Sequence, residues 1–369
     1  MNSLLTGFSL IFFAAVCGGV FAVPIKLRRR FELENLYVIA GAVTMILLPL
    51  VVGSLFLPSW HEAMMRTPAK VLWVGLGFGF AWGIGAVTFG YGVNLAGLSL
   101  GYAVIMGINT AVGSMLPILV RSPWELHTAG GLLIVGGIAA CIVGVAICGR
   151  AGFLREHCES RSGGAPQKFE PDDAPVKPAS TAAAAKDQAQ SQTSARNFRL
   201  GLTFCVISGV LSACANLGFA FTSPIARMAK ELGGQPIISS LGSWFPVYWG
   251  GFAATLLWFG GLQVARKSWR KNVGRGALRD WGLAMVMGVL WFLAMIPYGM
   301  GAYCLGQLGT SVGWAVDIAS SLIVANVLGF LTGEWKTAPP GARRALFTGL
   351  GVLVLAMVIL GKGNAMLTH

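Results

Sequence analysis

Two short stretches, "GLSLGYAV" at 97–104 and "GTSVGWAV" at 309–316, decide how this chain folds. Each follows a tyrosine, Tyr91 or Tyr303, with five residues between that tyrosine and the first glycine. The shared pattern is Tyr-x5-Gly-x-Ser-x-Gly-aromatic-Ala-Val, with six identities and one aromatic exchange in register. A weaker echo pairs "FAVPIK" (21–26) with "FTSPIAR" (221–227). An internal match at such an offset implies a chain built of two related halves.

Composition says what the halves are made of. The 369 residues are 55% hydrophobic and only 11% charged, with a mean hydropathy of +0.69, well outside the range of a soluble domain. Apolar runs long enough to cross a hydrocarbon layer of ~30 Å as helix lie near 4–25, 35–57, 71–94, 99–120 and 130–149. Five more lie near 200–223, 237–262, 281–305, 310–332 and 345–363. A backbone in lipid must pair its own polar groups, so these runs read as ten helices. The 51 glycines and 16 prolines are then accommodated by helix packing. The short alternating segments of a membrane β-barrel are absent.

Between the two sets of five, "SGGAPQKFEPDDAPVKPASTAAAAKDQAQSQTSA" is rich in Pro, Ala, Gln and Ser. The organisation expected is therefore a first five-helix repeat over 1–149, a disordered cytoplasmic linker over 150–198, with a short helical stretch around its Ala run as the alternative there, and a second five-helix repeat over 199–369. Five is odd, so the second bundle starts from the opposite membrane face. The fold class is all-α integral membrane, ten transmembrane helices as two inverted five-helix repeats.

The net charge of +13 raises the question of a nucleic-acid partner, and the placement of the 27 Lys and Arg answers it. With the N-terminus outside, 21 fall on inner loops and six on outer ones. That asymmetry is the positive-inside rule of a bacterial-type inner membrane and places both termini on the outer face. The basicity reports topology, not nucleic acid. The first apolar run lacks a basic leader and reads as a retained helix instead of a signal peptide. The seven cysteines have no metal-ligand spacing and read as packing residues, so neither metal nor cofactor is expected.

The repeat also spells Gly-x-Ser-x-Gly twice, the letters of a hydrolase nucleophile elbow. That elbow needs a strand-turn-helix context and a histidine base. All four histidines lie in loops or at the terminus, and an enzyme is not expected. Gly-x3-Gly at 97/101, 309/313 and 329/333 suits close helix crossing, as does the glycine-rich face "VGLGFGFAWGIG".

Thirteen of the fourteen acids fall in loops, at helix ends or in the linker; Asp317 alone sits deep in a span. An Asp at a helix centre costs about 2.5–3.5 kcal/mol on insertion scales, so it should face a partner or a pathway. No Lys or Arg lies at its depth. Three roles are open: exchanging a proton that couples transport to a gradient, hydrogen bonding to substrate, or a structural acid held by neighbouring Ser or Asn. Asn94, Asn109, Asn216 and Asn326 are also placed in spans, where they bridge helices or line the path. Among the aromatics, Trp82, Trp244, Trp291 and Trp314 with Tyr91, Tyr248, Tyr298 and Tyr303 are candidates to face a sugar ring, against the alternative of packing and interface anchoring; of these, Trp82, Tyr91, Trp291, Tyr298 and Trp314 are the ones expected to face substrate. Trp314 is three residues before Asp317 and on its helix face. Pro24, Pro224 and Pro297 are candidate kinks for alternating access.

The stretch "WGIGAVTFGYGVNLAGLSLGYAVIMGI" (82–108) resembles the core of the L-rhamnose/proton symporters, a branch of the drug/metabolite transporter superfamily. "FAVPIKLRRR" after the first helix and "GEWK" (333–336) resemble that family in kind and position. The resemblance implies ten helices from inverted repeats and inward symport of a deoxysugar with a proton. It marks Trp82, Gly83, Gly85, Gly90, Gly97, Ser99 and Gly101 as family-like without giving them a binding role. An acid in the ninth helix is not part of that resemblance, so the role expected of Asp317 rests on membrane physics. The partners expected are a small-molecule sugar, a proton and the lipid bilayer. The same-architecture alternative is a metabolite or drug exporter, or uptake of another small metabolite.

Overall fold

The computed structural model describes residues 2–161 and 183–367, and every regular element among them is helical. In chain order these are α1 (Asn2–Val20), α2 (Leu33–Phe56), α3 (Ala69–Ala96), α4 (Leu98–Arg121), α5 (Ala129–Arg161) and α6 (Ala183–Phe221). They continue with α7 (Trp244–Thr255), α8 (Ala277–Cys304), α9 (Gly309–Leu331) and α10 (Pro340–Leu367). Nine helical segments among the described residues are long and apolar enough to cross a membrane. The remaining expected run is helical in contiguous pieces. Pro236–Ser239 and the tight turn Ser240–Ser243 lead into α7, and a π-turn at Leu256–Gly260 leads on to Gly261–Ala265. A π-turn also widens α2 at Val43–Leu47.

The stretch expected as a disordered linker is helical at both ends. α5 runs on to Arg161, and α6 begins at Ala183 within a run rich in Ala and Gln, which are strong helix formers. Residues 162–182 lie outside the described residues.

Proline places the breaks after the first helix of each half. α1 ends at Val20 and a short helix, Val23–Leu27, restarts with Pro24; α6 ends at Phe221 and Ser223–Glu231 restarts with Pro224. Proline has no N–H to lose at the first turn of a helix, so each restarts the chain in a new direction.

Lipid offers no hydrophobic drive for helix association, so these helices are held by close contact of small residues. Gly75, Gly79 and Gly83, four residues apart on α3, lie against α7. A Cβ on Gly79 would stand 2.0 Å from the Val247 carbonyl oxygen, and one on Gly250 would stand 2.1 Å from the Leu76 carbonyl. α5 and α10 run antiparallel in a seven-residue register: Gly130, Gly137 and Gly144 receive Leu367, Leu360 and Leu353. α3 also packs on α6, α8 on α1 and α2, α4 on α5 and α6, and α9 on α1 and α10. α4 meets α9 across the centre.

The Gly-x3-Gly expectation holds only in part. Gly101 and Gly313 meet neighbouring helices, but Gly97 (φ +93°) and Gly333 (φ +82°) are turn residues in the left-handed region, which a Cβ disfavours. Gly97 is the single residue between α3 and α4.

Gly79→Val should overpack the α3–α7 contact by more than the 1–3 kcal/mol usual for an added core group, because the clash is with backbone. Size-exclusion and thermal unfolding in detergent should show loss of the monodisperse folded protein. Gly77→Ala, whose Cβ would meet nothing, should behave as the parent.

Candidate functional site

Pro117 lies inside α4 and lacks the N–H that would pair with the carbonyl of Gly113, four residues earlier. That free carbonyl is met by Asn216 of α6, whose Nδ2 donates to it at 2.8 Å and to the Thr310 carbonyl of α9 at 3.0 Å. The hydroxyl of Tyr298, from α8, donates to Asn216 Oδ1 and lies 3.2 Å from the same Thr310 carbonyl. One amide therefore ties together four helices drawn from both halves of the chain. Asn216 and Tyr298 are fully buried.

α9 presents Thr310, Gly313, Trp314 and Asp317 at the spacing of a single helix face. The Trp314 indole N–H donates to Asn109 Oδ1 of α4 at 3.3 Å, and it fits because residue 113 has no side chain. A Cβ there would stand 2.4 Å from the indole nitrogen. The Trp314 ring is edge-on to Tyr298 at 5.2 Å between centroids. Asp317, 6% exposed, is within electrostatic reach of Tyr298, and its Oδ1 is buried with no hydrogen-bond partner among the described residues. The Tyr248 hydroxyl, the Trp244 indole N–H and the Ser311 hydroxyl are buried without partners as well. Trp244 stacks on Tyr248 at 5.3 Å and stands 6.3 Å from Tyr298, so these donors belong to the same aromatic body. Leaving a buried polar group unmade costs about 1–3 kcal/mol each. Trp244 and Tyr248 reach the carboxylate's surroundings through Tyr298, and Ser311 lies on the same helix as Asp317; four such groups are an unusual expense for a packed core.

A second layer lies deeper along α8. Trp291 is seven residues before Tyr298 on the same face, about 10 Å along the axis. Its ring meets Trp82 of α3 edge-on at 5.7 Å, with Phe21 and Tyr37 alongside. Trp82 and Trp291 are buried.

Six of the expected substrate-facing residues, Trp82, Asn109, Asn216, Trp291, Tyr298 and Trp314, thus lie in the buried interior with Asp317. Tyr91 and Asn94 do not join them. Both are exposed on the outer face of α3, Tyr91 against Phe204 and Trp258. Tyr303, the repeat counterpart of Tyr91, is equally exposed. α3 is apolar all round, so composition gives no clue to which side meets protein. Tyr248 and Trp244 carry unpartnered groups into the interior, and their spacing of four places them on one face of α7. Ser311 is the serine of the repeated motif itself.

Among the described residues no group of three or more His, Cys, Asp or Glu is placed to hold a metal ion. "GEWK" has a structural task. Trp335 is buried with the Arg155 guanidinium 5.0 Å over its ring, which ties the end of α5 to the turn between α9 and α10.

The family model described as L-rhamnose-proton symport protein (RhaT) matches residues 1–164. A protein of Cronobacter sakazakii named L-rhamnose-proton symporter is 27% identical over 378 residues, covering 99% of both chains. Proteins of the same name from Citrobacter koseri and Klebsiella pneumoniae are each 24% identical, covering 99% and 95% of both chains respectively. The resemblance read from "WGIGAVTFGYGVNLAGLSLGYAVIMGI" is borne out, and it extends over nearly the whole chain.

Asn216→Ala should lower thermal stability by about 1–3 kcal/mol, since it strands the Gly113 carbonyl and the Tyr298 hydroxyl. In a Pro117→Ala background the backbone N–H returns and the same substitution should cost less. Equal costs in the two backgrounds, measured by unfolding in detergent, would show that Asn216 does not serve that carbonyl.

Proposed function

We propose that this chain is a member of the L-rhamnose/proton symport family: a multi-pass inner-membrane transporter, not an enzyme, that brings L-rhamnose or a similar deoxyhexose inward with a proton. The observation that carries the site is the unpartnered Asp317 carboxylate among unpartnered donors and aromatic faces where α4, α6, α8 and α9 converge. A sugar hydroxyl both donates and accepts. It complements a carboxylate oxygen, which accepts, an indole N–H, which donates, and the hydroxyls of Tyr248 and Ser311, which do both. The ring's C–H face and the methyl group of a deoxysugar suit Trp314, Tyr298, Trp82 and Trp291. Asn109 holds Trp314 in place, and Asn216 holds Tyr298.

The architecture in this reading is ten crossings in two inverted repeats, with the pieces around α7 as the seventh. Several observations support it. The helix contacts are preserved when each helix is exchanged for the one five places on: α3 on α6 becomes α8 on α1, α3 on α7 becomes α8 on α2, and α4 on α6 becomes α9 on α1. Pro24 and Pro224 break equivalent helices. The π-turns fall in the second helix of each half, at Val43 and Leu256, close to the offset of the sequence repeat. Transporters of inverted repeats bind substrate near the midplane between the repeats, where α4 and α9 meet here. The distribution of Lys and Arg supports termini on the outer face and a cytoplasmic linker.

Asp317 is the proton site in this mechanism. Its repeat counterpart by register is Ile105, fully buried against Val93 and Cys205, so the two halves differ in kind at this position. One is a packed hinge face and the other a site whose charge changes as the sugar binds. Alternating access then follows if proton and sugar together, and neither alone, favour the closed passage between the two faces.

Proteoliposome uptake across a panel of labelled sugars, with and without an inward proton gradient, tests both cargo and direction. L-rhamnose should accumulate inside only with the gradient. Asp317→Asn should hold the internal level at equilibrium yet exchange internal for external sugar. Full gradient-driven accumulation by this variant would remove Asp317 from coupling, and outward movement of the sugar would favour an exporter.

A further inference from the structure

We infer that the structure carries a binding site for the phosphate-bearing headgroup of an anionic phospholipid, built from the loop after α1 and the loop before α8. A cavity of about 580 Å³ is lined there by Arg29, Arg30, Lys271, Arg275, Gly276 and Arg279. Loop basicity alone requires only that cations lie on one side of the membrane. Here five of them, from segments more than 240 positions apart, line one concavity.

The two carboxylates near it are already committed. Asp280 is buried and accepts the backbone N–H groups of Arg29, Arg30 and Phe31, at 2.7 Å and 2.8 Å from the latter two. Glu32 is paired with Lys271. Arg30 is likewise engaged, donating to the carbonyls of Lys271 and Val273 at 2.9 and 2.8 Å, so it serves as the frame that joins the loops. The guanidinium groups of Arg29 and Arg275 have no hydrogen bond or ion pair among the described residues. Arg279 is met electrostatically by Asp280. Gly276, with φ +87°, lets the chain turn into α8, so the N-terminal end of that 28-residue helix opens beside the same cavity. Three guanidinium groups around a helix N-terminus are chemistry for a phosphodiester.

What lies around the cavity favours a lipid as the source of that phosphate. Leu278 is 86% exposed and Val273 67% exposed, and Leu27, Trp269 and Trp281 are exposed around them. Trp281 is held with its indole N–H on the Asn272 carbonyl at 2.9 Å. Tryptophans at this level mark the membrane interface. A headgroup seated on Arg29, Arg275 and Arg279 would lay its acyl chains along Leu278 and Trp281. A soluble phosphate would leave those apolar surfaces in contact with nothing of its own. Each arginine facing an anionic lipid is worth roughly fivefold in association. The lipid so bound clamps the first half of the chain to the second at one membrane face.

Native mass spectrometry of the full chain, released from detergent with added phosphatidylglycerol or phosphatidylcholine, tests this. Phosphatidylglycerol should form a saturable one-to-one adduct that phosphatidylcholine does not. The double substitution Arg275→Ala with Arg279→Ala should weaken it by roughly 25-fold. Sugar uptake by that variant in phosphatidylcholine vesicles reports that it is folded. Lys70→Ala with Lys362→Ala, charge changes away from the cavity, should leave the adduct intact. Equal adducts with the two lipids, an undiminished adduct in the arginine variant, or equal loss in the lysine control would overturn the site. Competition by inorganic phosphate at the concentration that displaces phosphatidylglycerol would overturn the lipid as its occupant.

Discussion

The amide of Asn216 is the interaction on which the interior depends. Within a hydrocarbon layer a polar group must be satisfied by the protein, because lipid supplies no partner. Pro117 creates such a need in α4 by leaving the Gly113 carbonyl without its donor, and Asn216 answers it from α6 while also reaching Thr310 in α9 and receiving Tyr298 from α8. A defect in one helix thereby becomes the joint of four. Trp314 can fold over that joint because residue 113 is glycine, and Asp317 lies one turn further along the same face of α9.

Around that joint the chain separates two kinds of polar group. Asn109 accepts the Trp314 indole N–H, Asn216 and Tyr298 are engaged with each other and with backbone, and all three are rigidly held. Asp317, Tyr248, Trp244 and Ser311 hold atoms with no partner among the described residues, and in the proposed reading these atoms set what a ligand has to bring. The glycine-based contacts of α3 with α7 and of α5 with α10 lie outside this cluster. In the proposed transport cycle, movement between inward and outward states would pivot at the centre while those contacts hold their helix pairs together.

Much of this was legible in the sequence because membrane physics leaves few options. Helical runs, charge asymmetry and the repeated Gly-x-Ser-x-Gly-aromatic-Ala-Val element each follow from a constraint that acts on local sequence. The isolation of Asp317 needed only an inventory of acids. The rotation of each helix about its own axis was not legible. Tyr91 and Asn94 read as well as Tyr298 and Asn109 until α3 was seen to turn them outward, since an apolar helix in lipid has no polar face to betray its inner side. Gly97 and Gly333 read as crossing residues, whereas backbone turns with positive φ account for them. The Asn216–Gly113 bond joins residues 103 apart, and no local pattern announces it. A proline four residues after an unremarkable glycine was its only trace.

In the proposed mechanism the carboxyl of Asp317 changes its protonation or hydrogen bonding when sugar enters the site. Infrared difference spectroscopy of the reconstituted protein, recorded on adding L-rhamnose, reads that change directly. A carboxyl C=O difference band should appear, shift in deuterium oxide, and disappear in Asp317→Asn while that variant still binds the sugar. A band that persists in the variant, or sugar binding with no carboxyl band in the parent, would contradict it.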